Sequence, residues 1–173
     1  GRLALGALLA APGRFRAAVL IGATAGLTDP AERALRVAAD AERAARIEAL
    51  GVEGFLAEWQ QLPIIATQAR IEPAHRARMA RERARHSAKG LADSLRGAGT
   101  GSMPSLWERL GELDLPVLLL TGEEDAKFAA IAQQLRAALP RAEHLVVPGA
   151  GHCAHLEAPA LAADALRAFL SGL

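Results

Sequence analysis

The feature that most constrains this chain occurs twice near its C-terminal end. The short apolar run Pro116-Val117-Leu118-Leu119-Leu120 opens into Thr121-Gly122-Glu123-Glu124-Asp125. The run His144-Leu145-Val146-Val147 opens into Pro148-Gly149-Ala150-Gly151-His152. Each reads as a buried strand, then a loop containing glycine, then a polar residue of catalytic type. A helical pattern from Lys127 to Leu139, stopped by Pro140, separates them. That alternation predicts an α/β fold with a parallel sheet, in which ligands bind at the carboxyl ends of the strands. An Asp and then a His at the ends of the last two strands is the acid and base half of a Ser…Asp…His triad.

The remaining core pattern lies at the other end of the chain. Leu3 to Ala10 is apolar nearly all round and reads as a buried helix that stops at Pro12-Gly13. Ala17-Ala18-Val19-Leu20-Ile21 reads as a strand ending at Gly22. Residues 1–28 and 112–173 are therefore expected to form the α/β core. Residues 29–111 carry no β pattern and are expected to form an all-helical lid. Asp29-Pro30 is an N-cap with Pro at the first helical position, and the amphipathic segment that follows closes at Gly51. Gly54 to Gln61 is a short helix, Pro73 to Lys89 a basic helix ended by Gly90, and Leu91 to Leu95 a helical turn. Ser105 to Leu113 is a last amphipathic piece, and one helix is expected from Leu156 to Leu170.

With 173 residues, half of them hydrophobic and 23% charged, the composition is that of a globular chain with a sizeable core. The net charge of +1 and 3% aromatic content argue against nucleic acid as a partner. No apolar run reaches the roughly 20 residues that span a bilayer, so no membrane partner is expected. A single cysteine, Cys153, excludes an internal disulfide and suits a reducing, cytoplasmic compartment. Leu3 to Ala11 lacks the basic flank of a signal peptide. The chain begins at Gly1-Arg2 inside what reads as a helix, and is expected to lack its natural start.

His152 is flanked by Gly149 and Gly151, so its backbone can turn tightly and project the imidazole from the sheet end. Asp125 can then accept a hydrogen bond from one ring nitrogen, fixing the tautomer and leaving the other nitrogen to take a proton. Asp125 can equally cap the following helix, and Glu123 and Glu124 compete as acids on the same loop. Spacing from the strand end favours Asp125. His155 reads as a packing or capping residue or a second base. Cys153 reads as a nucleophile only if its side chain does not diverge from that of His152. The five His and one Cys show no metal-ligand spacing. The arginines of the helical region form a solvated basic face or, turned inward, make bidentate pairs with carboxylates.

These motifs together resemble the C-terminal two-thirds of an α/β-hydrolase-fold enzyme. More narrowly, they resemble the 2-succinyl-6-hydroxy-2,4-cyclohexadiene-1-carboxylate synthases of menaquinone biosynthesis. The likeness rests on Gly1-Arg2-Leu3-Ala4-Leu5, the Glu32-Arg33…Arg36…Asp40 helix, Phe55…Trp59…Pro63, Leu95-Arg96-Gly97…Gly99-Thr100-Gly101, Gly122-Glu123…Asp125…Lys127-Phe128 and Gly149-Ala150-Gly151-His152…His155-Leu156-Glu157. In that family the nucleophile elbow reads Gly-x-Ser-x-Gly-Gly-Arg. Gly1-Arg2 matches its last two residues, which would place the Ser ahead of Gly1.

The resemblance implies a carbon–oxygen lyase on a hydrolase fold, eliminating pyruvate from 2-succinyl-5-enolpyruvyl-6-hydroxy-3-cyclohexene-1-carboxylate without a cofactor. It makes His152 the base that activates the Ser and Asp125 its orienting acid. Arg2, Arg36 and Arg83 would bind the carboxylates of the small-molecule substrate, with Arg81 and Arg85 as register alternatives to Arg83. Trp59 would line the pocket or simply pack. Without the Ser the 173 residues would be inactive. The alternatives are an ester or thioester hydrolase on the same fold, and a non-catalytic fragment or interaction module whose strand Ala18 to Ile21 leaves an apolar edge open to association.

Overall fold

A computed structural model describes all 173 residues. In chain order its elements are α1 (Arg2–Ala10), β1 (Ala18–Ile21), α2 (Pro30–Trp59), α3 (Pro63–Ala66), α4 (Pro73–Ala84), α5 (Ala88–Ala98), β2 (Val117–Gly122), α6 (Ala126–Ala138), β3 (Ala142–Val147), α7 (Ala154–Glu157) and α8 (Pro159–Ser171). Short 3₁₀ turns cover Pro12–Arg14, Thr67–Arg70 and Trp107–Glu112. Two compact units result: Gly1–Ala25, Thr67–Ile71 and Leu106–Leu173 form one, and Gly26–Ala66 with Glu72–Ser105 the other.

The first unit is built on a parallel sheet in the order β1-β2-β3. β2 is central, and all six of its residues are buried, as a continuous apolar run requires when both faces of a sheet are covered. Alternate side chains go to opposite faces. Val117 and Leu119 join Leu5, Leu8 and Leu9 of α1, Leu110, Leu113, and Leu135 of α6 in the larger core cluster. Leu120 joins Val147, Ala150, Ala154 and Ala162 in a smaller one. The register pairs Ala18 with Val117 and Ile21 with Leu120 on one side of β2. On the other it pairs Val117 with Ala142 and Gly122 with Val147. The ends of β2 and β3 are thus level, and the loops after them start side by side.

In the second unit α2 starts as its sequence dictates. The Asp29 carboxylate accepts hydrogen bonds from the N–H groups of Ala31 at 2.7 Å and Glu32 at 2.9 Å. Gly51 adopts φ 70° and ψ 178° and breaks the helix there. α5 packs along α2, burying Ala44, Ile47 and Ala92. The glycines of the Gly99-Thr100-Gly101 string make this approach possible. A Cβ on Gly99 would collide with the Leu95 carbonyl and the Asp40 carboxylate, and one on Gly101 with the Arg33 carbonyl and the Val37 amide.

Helix boundaries differ from those expected. The basic helix ends at Ala84 instead of Lys89, because Ser87 caps a new helix by accepting from the Gly90 N–H at 3.0 Å, so Gly90 lies inside α5. The closing helix is split at Ala158-Pro159, where proline supplies no N–H to continue the ladder. Within 29–111, Thr67–Ile71 and Leu106 onward belong to the sheet unit, and Gly26–Thr28 belong to the helical unit. Thr67, Gln68 and Arg70 are drawn into the sheet unit by side-chain bonds to Glu157, Cys153 and Glu124.

Leu119, 1% exposed at the centre of β2, sets the core packing. In the full-length protein Leu119→Ala is expected to cost about 2–5 kcal/mol of stability, read as a lowered thermal midpoint. An unchanged midpoint would mean that this face of β2 is not the core.

Candidate active site

The loop after β2 is forced against the loop after β3. A side chain on Gly122 would overlap the carbonyl oxygens of Ala150 and Gly151, so only glycine fits there. The Glu123 N–H donates to the Val147 carbonyl at 3.0 Å and the Glu124 N–H to the Ala150 carbonyl at 2.9 Å. The Gly149 N–H donates in return to Glu123 Oε2 at 2.9 Å, with Gly149 at φ 65°. Both candidate glutamates are thereby committed: Glu123 to this turn, and Glu124 to an ion pair with Arg70.

Asp125 has the double role that its position allows. Oδ1 caps α6 by accepting from the Phe128 N–H at 3.4 Å, while Oδ2 lies 2.6 Å from His152 Nδ1. Asp125 is 7% exposed. An ionised carboxylate can only accept, so Nδ1 carries the proton and Nε2 presents its lone pair. The imidazole is further fixed by Phe128, whose ring centroid is 4.6 Å away at 52°. Gly22 closes the other side: a Cβ there would come within 2.7 Å of His152 Cε1. Sequence alone marks Gly22 as a strand end and Phe128 as part of a family-like string, without giving either a place in the site. The signals were present, in a glycine ending the first strand and a Phe three residues past the Asp.

His155 does not share the carboxylate. Burial pushes it below the ordinary histidine range, and His152 adds to that, against the pull of Glu157. Cys153 forms no disulfide, and its Sγ lies 3.2 Å from Gln68 Nε2.

Among the proposed cation sites, Arg2 opens α1 and is partly buried. In the helical unit Arg36 grips the buried Asp40 through Nε, 2.9 Å from each carboxylate oxygen, and Arg43 Nη1 donates to the same group at 3.1 Å. Arg83 lies over the ring of Trp59, with Cζ 4.7 Å from the centroid, a cation–π contact that orients both. Of its register alternatives, Arg85 pairs with Glu82 at 3.5 Å and Arg81 is exposed.

Known proteins are similar to this chain in sequence and in fold. The chain is 42% identical over its whole length to a Bacillus subtilis (strain 168) protein provisionally named 2-succinyl-6-hydroxy-2,4-cyclohexadiene-1-carboxylate synthase, covering 63% of that relative. It is 33% identical over 159 residues to the synthase of that name from Serratia proteamaculans (strain 568), matching 92% of this chain and 59% of the relative. The solved structure of MenH from S. aureus superposes with a TM-score of 0.87 at 29% identity, over 91% of this chain and 59% of that one. The chain thus spans somewhat less than two thirds of the length of these relatives. The model of the alpha/beta hydrolase family matches residues 3–165, and with the parallel sheet and the Asp and His loops already described, this chain belongs to the α/β-hydrolase family.

Proposed function

We propose that the protein is a 2-succinyl-6-hydroxy-2,4-cyclohexadiene-1-carboxylate synthase, a carbon–oxygen lyase of menaquinone biosynthesis. The reading is carried by the partly buried 2.6 Å pair of Asp125 Oδ2 and His152 Nδ1, in a chain similar over most of its length to proteins of that name. The pair is acid–base machinery. His152 Nε2 takes a proton, and the imidazolium so formed is stabilised by the Asp125 carboxylate, which needs no reorganisation to do so.

In the proposed reaction His152 draws the proton from a serine hydroxyl, and the activated oxygen removes a proton from the ring substrate. The electron pair of that C–H bond moves through the ring, and the C–O bond to the enolpyruvyl group breaks. Pyruvate leaves as its enolate and takes up a proton. The leaving group and the ring both bear carboxylates, which the guanidinium groups of Arg2, Arg36 and Arg83 suit by charge and by bidentate geometry. Arg36 engages Asp40 by Nε alone among its nitrogens, and its terminal nitrogens would take the ligand. Trp59 would hold Arg83 in place through their stacked contact.

Pyruvate release by the full-length protein tests the reading. His152→Ala is expected to lower kcat by about 10⁴-fold; a variant that keeps wild-type turnover would overturn it. Arg36→Ala is expected to lower kcat/KM for this substrate by roughly ten- to a hundredfold, the worth of a charged hydrogen bond. An enzyme that releases no pyruvate but hydrolyses simple esters or thioesters, indifferent to Arg36→Ala, would be a hydrolase instead.

A further inference from the structure

The turn that presents His152 is not held by its own backbone alone. The Glu157 carboxylate brackets it: Oε2 accepts from the Gly151 N–H at 2.8 Å, and Oε1 accepts from the Cys153 N–H at 3.1 Å. These are the residues immediately before and after His152, so one side chain ties down the backbone on both sides of it: the 152–153 peptide directly and the 150–151 peptide one residue earlier. Glu157 is itself held by Thr67, whose Oγ1 donates to Oε1 at 3.0 Å. Thr67 sits so close beneath the turn that a side chain on Gly151 would overlap its hydroxyl. From the same 3₁₀ turn Arg70 Nη1 donates to the Gly149 carbonyl at 2.9 Å and to Glu124 Oε1 at 2.6 Å. Glu124 is the neighbour of Asp125. The Thr67–Arg70 turn therefore touches both loops that make the acid–base pair.

We propose that Glu157 is a positioning residue for the His152–Asp125 pair, and that Thr67 locks Glu157 in that role. The requirement is chemical as well as spatial. The group at position 157 faces two N–H donors and one hydroxyl donor, and only an ionised carboxylate accepts from all three through two oxygens. A carboxamide of the same shape turns an NH₂ toward one of those donors. The turn would then relax, and Nε2 would leave the line along which the proton moves. A displacement of about 1 Å is enough to cost on the order of 10²-fold in rate.

The inference rests on His152 acting as the base. It is tested in the full-length protein with Glu157→Gln, Thr67→Val and Thr67→Ser, each read by pyruvate release and by the downfield proton resonance of the His152 Nδ1–H. Glu157→Gln is expected to lower kcat by about 10²-fold with KM unchanged, and to shift or broaden the downfield resonance. Thr67→Val is expected to move both readouts in the same direction by less, and Thr67→Ser, which keeps the hydroxyl, to restore them. If Glu157→Gln does not fold, the Thr67 pair decides: a Val variant equal to the Ser variant in both readouts overturns the proposal. A folded Glu157→Gln with a lowered melting temperature but unaltered kcat and resonance also overturns it, assigning the carboxylate to stability alone. The resonance reads the pair without substrate, so it separates this failure from that of the proposed reaction, which His152→Ala measures.

Discussion

The hydrogen bond between His152 and Asp125 depends on how two strands end. β2 and β3 run parallel and in register to Gly122 and Val147, so their carboxyl ends are level and the following loops leave the sheet together. Gly122 then lets those loops touch, since any side chain there would strike the carbonyls of Ala150 and Gly151. A shift of register by one residue would reverse the faces of β3 and separate acid from base. The continuous burial of β2 is what fixes that register, because every residue of the strand has a place in the core. Packing energy in the sheet is thereby converted into the aim of one imidazole.

The loops add constraints of their own. Each carboxylate near His152 is committed to its own partners. Asp125 holds the imidazole, Glu123 the Gly149 amide, Glu124 the Arg70 guanidinium and Glu157 the amides on either side of His152. A group of acids this dense would blur the choice of the histidine's partner if any were idle. The bonding pattern leaves Asp125 alone facing Nδ1, with Phe128 and Gly22 closing the space around the ring.

Asp125 and His152 were legible in the sequence because each follows a strand pattern that is local and periodic, and strand ends in a parallel sheet come together by topology. α2 was legible to its Asp29 cap and its Gly51 break for the same reason. Thr67 and Arg70 were not. They lie in a stretch bounded by Pro63 and Pro73 without periodicity, and their partners at Glu157 and Glu124 are 90 and 54 residues away. Only the folded chain makes those pairs visible. Gly90 misled because a glycine often ends a helix, whereas here the Ser87 cap three residues earlier begins one. The contact of Arg83 with Trp59 joins two residues 24 positions apart, which no local pattern in the sequence announces.

The account's central claim is that His152 and Asp125 work as one unit, and a double-mutant cycle measures this most directly. The full-length protein would be assayed for pyruvate release as wild type, His152→Ala, Asp125→Asn and the double variant. Residues that act together are strongly non-additive, so the double variant should be no slower than His152→Ala alone. Losses that multiply would contradict the account, since they would mean that the aspartate acts on the reaction by some route other than the histidine.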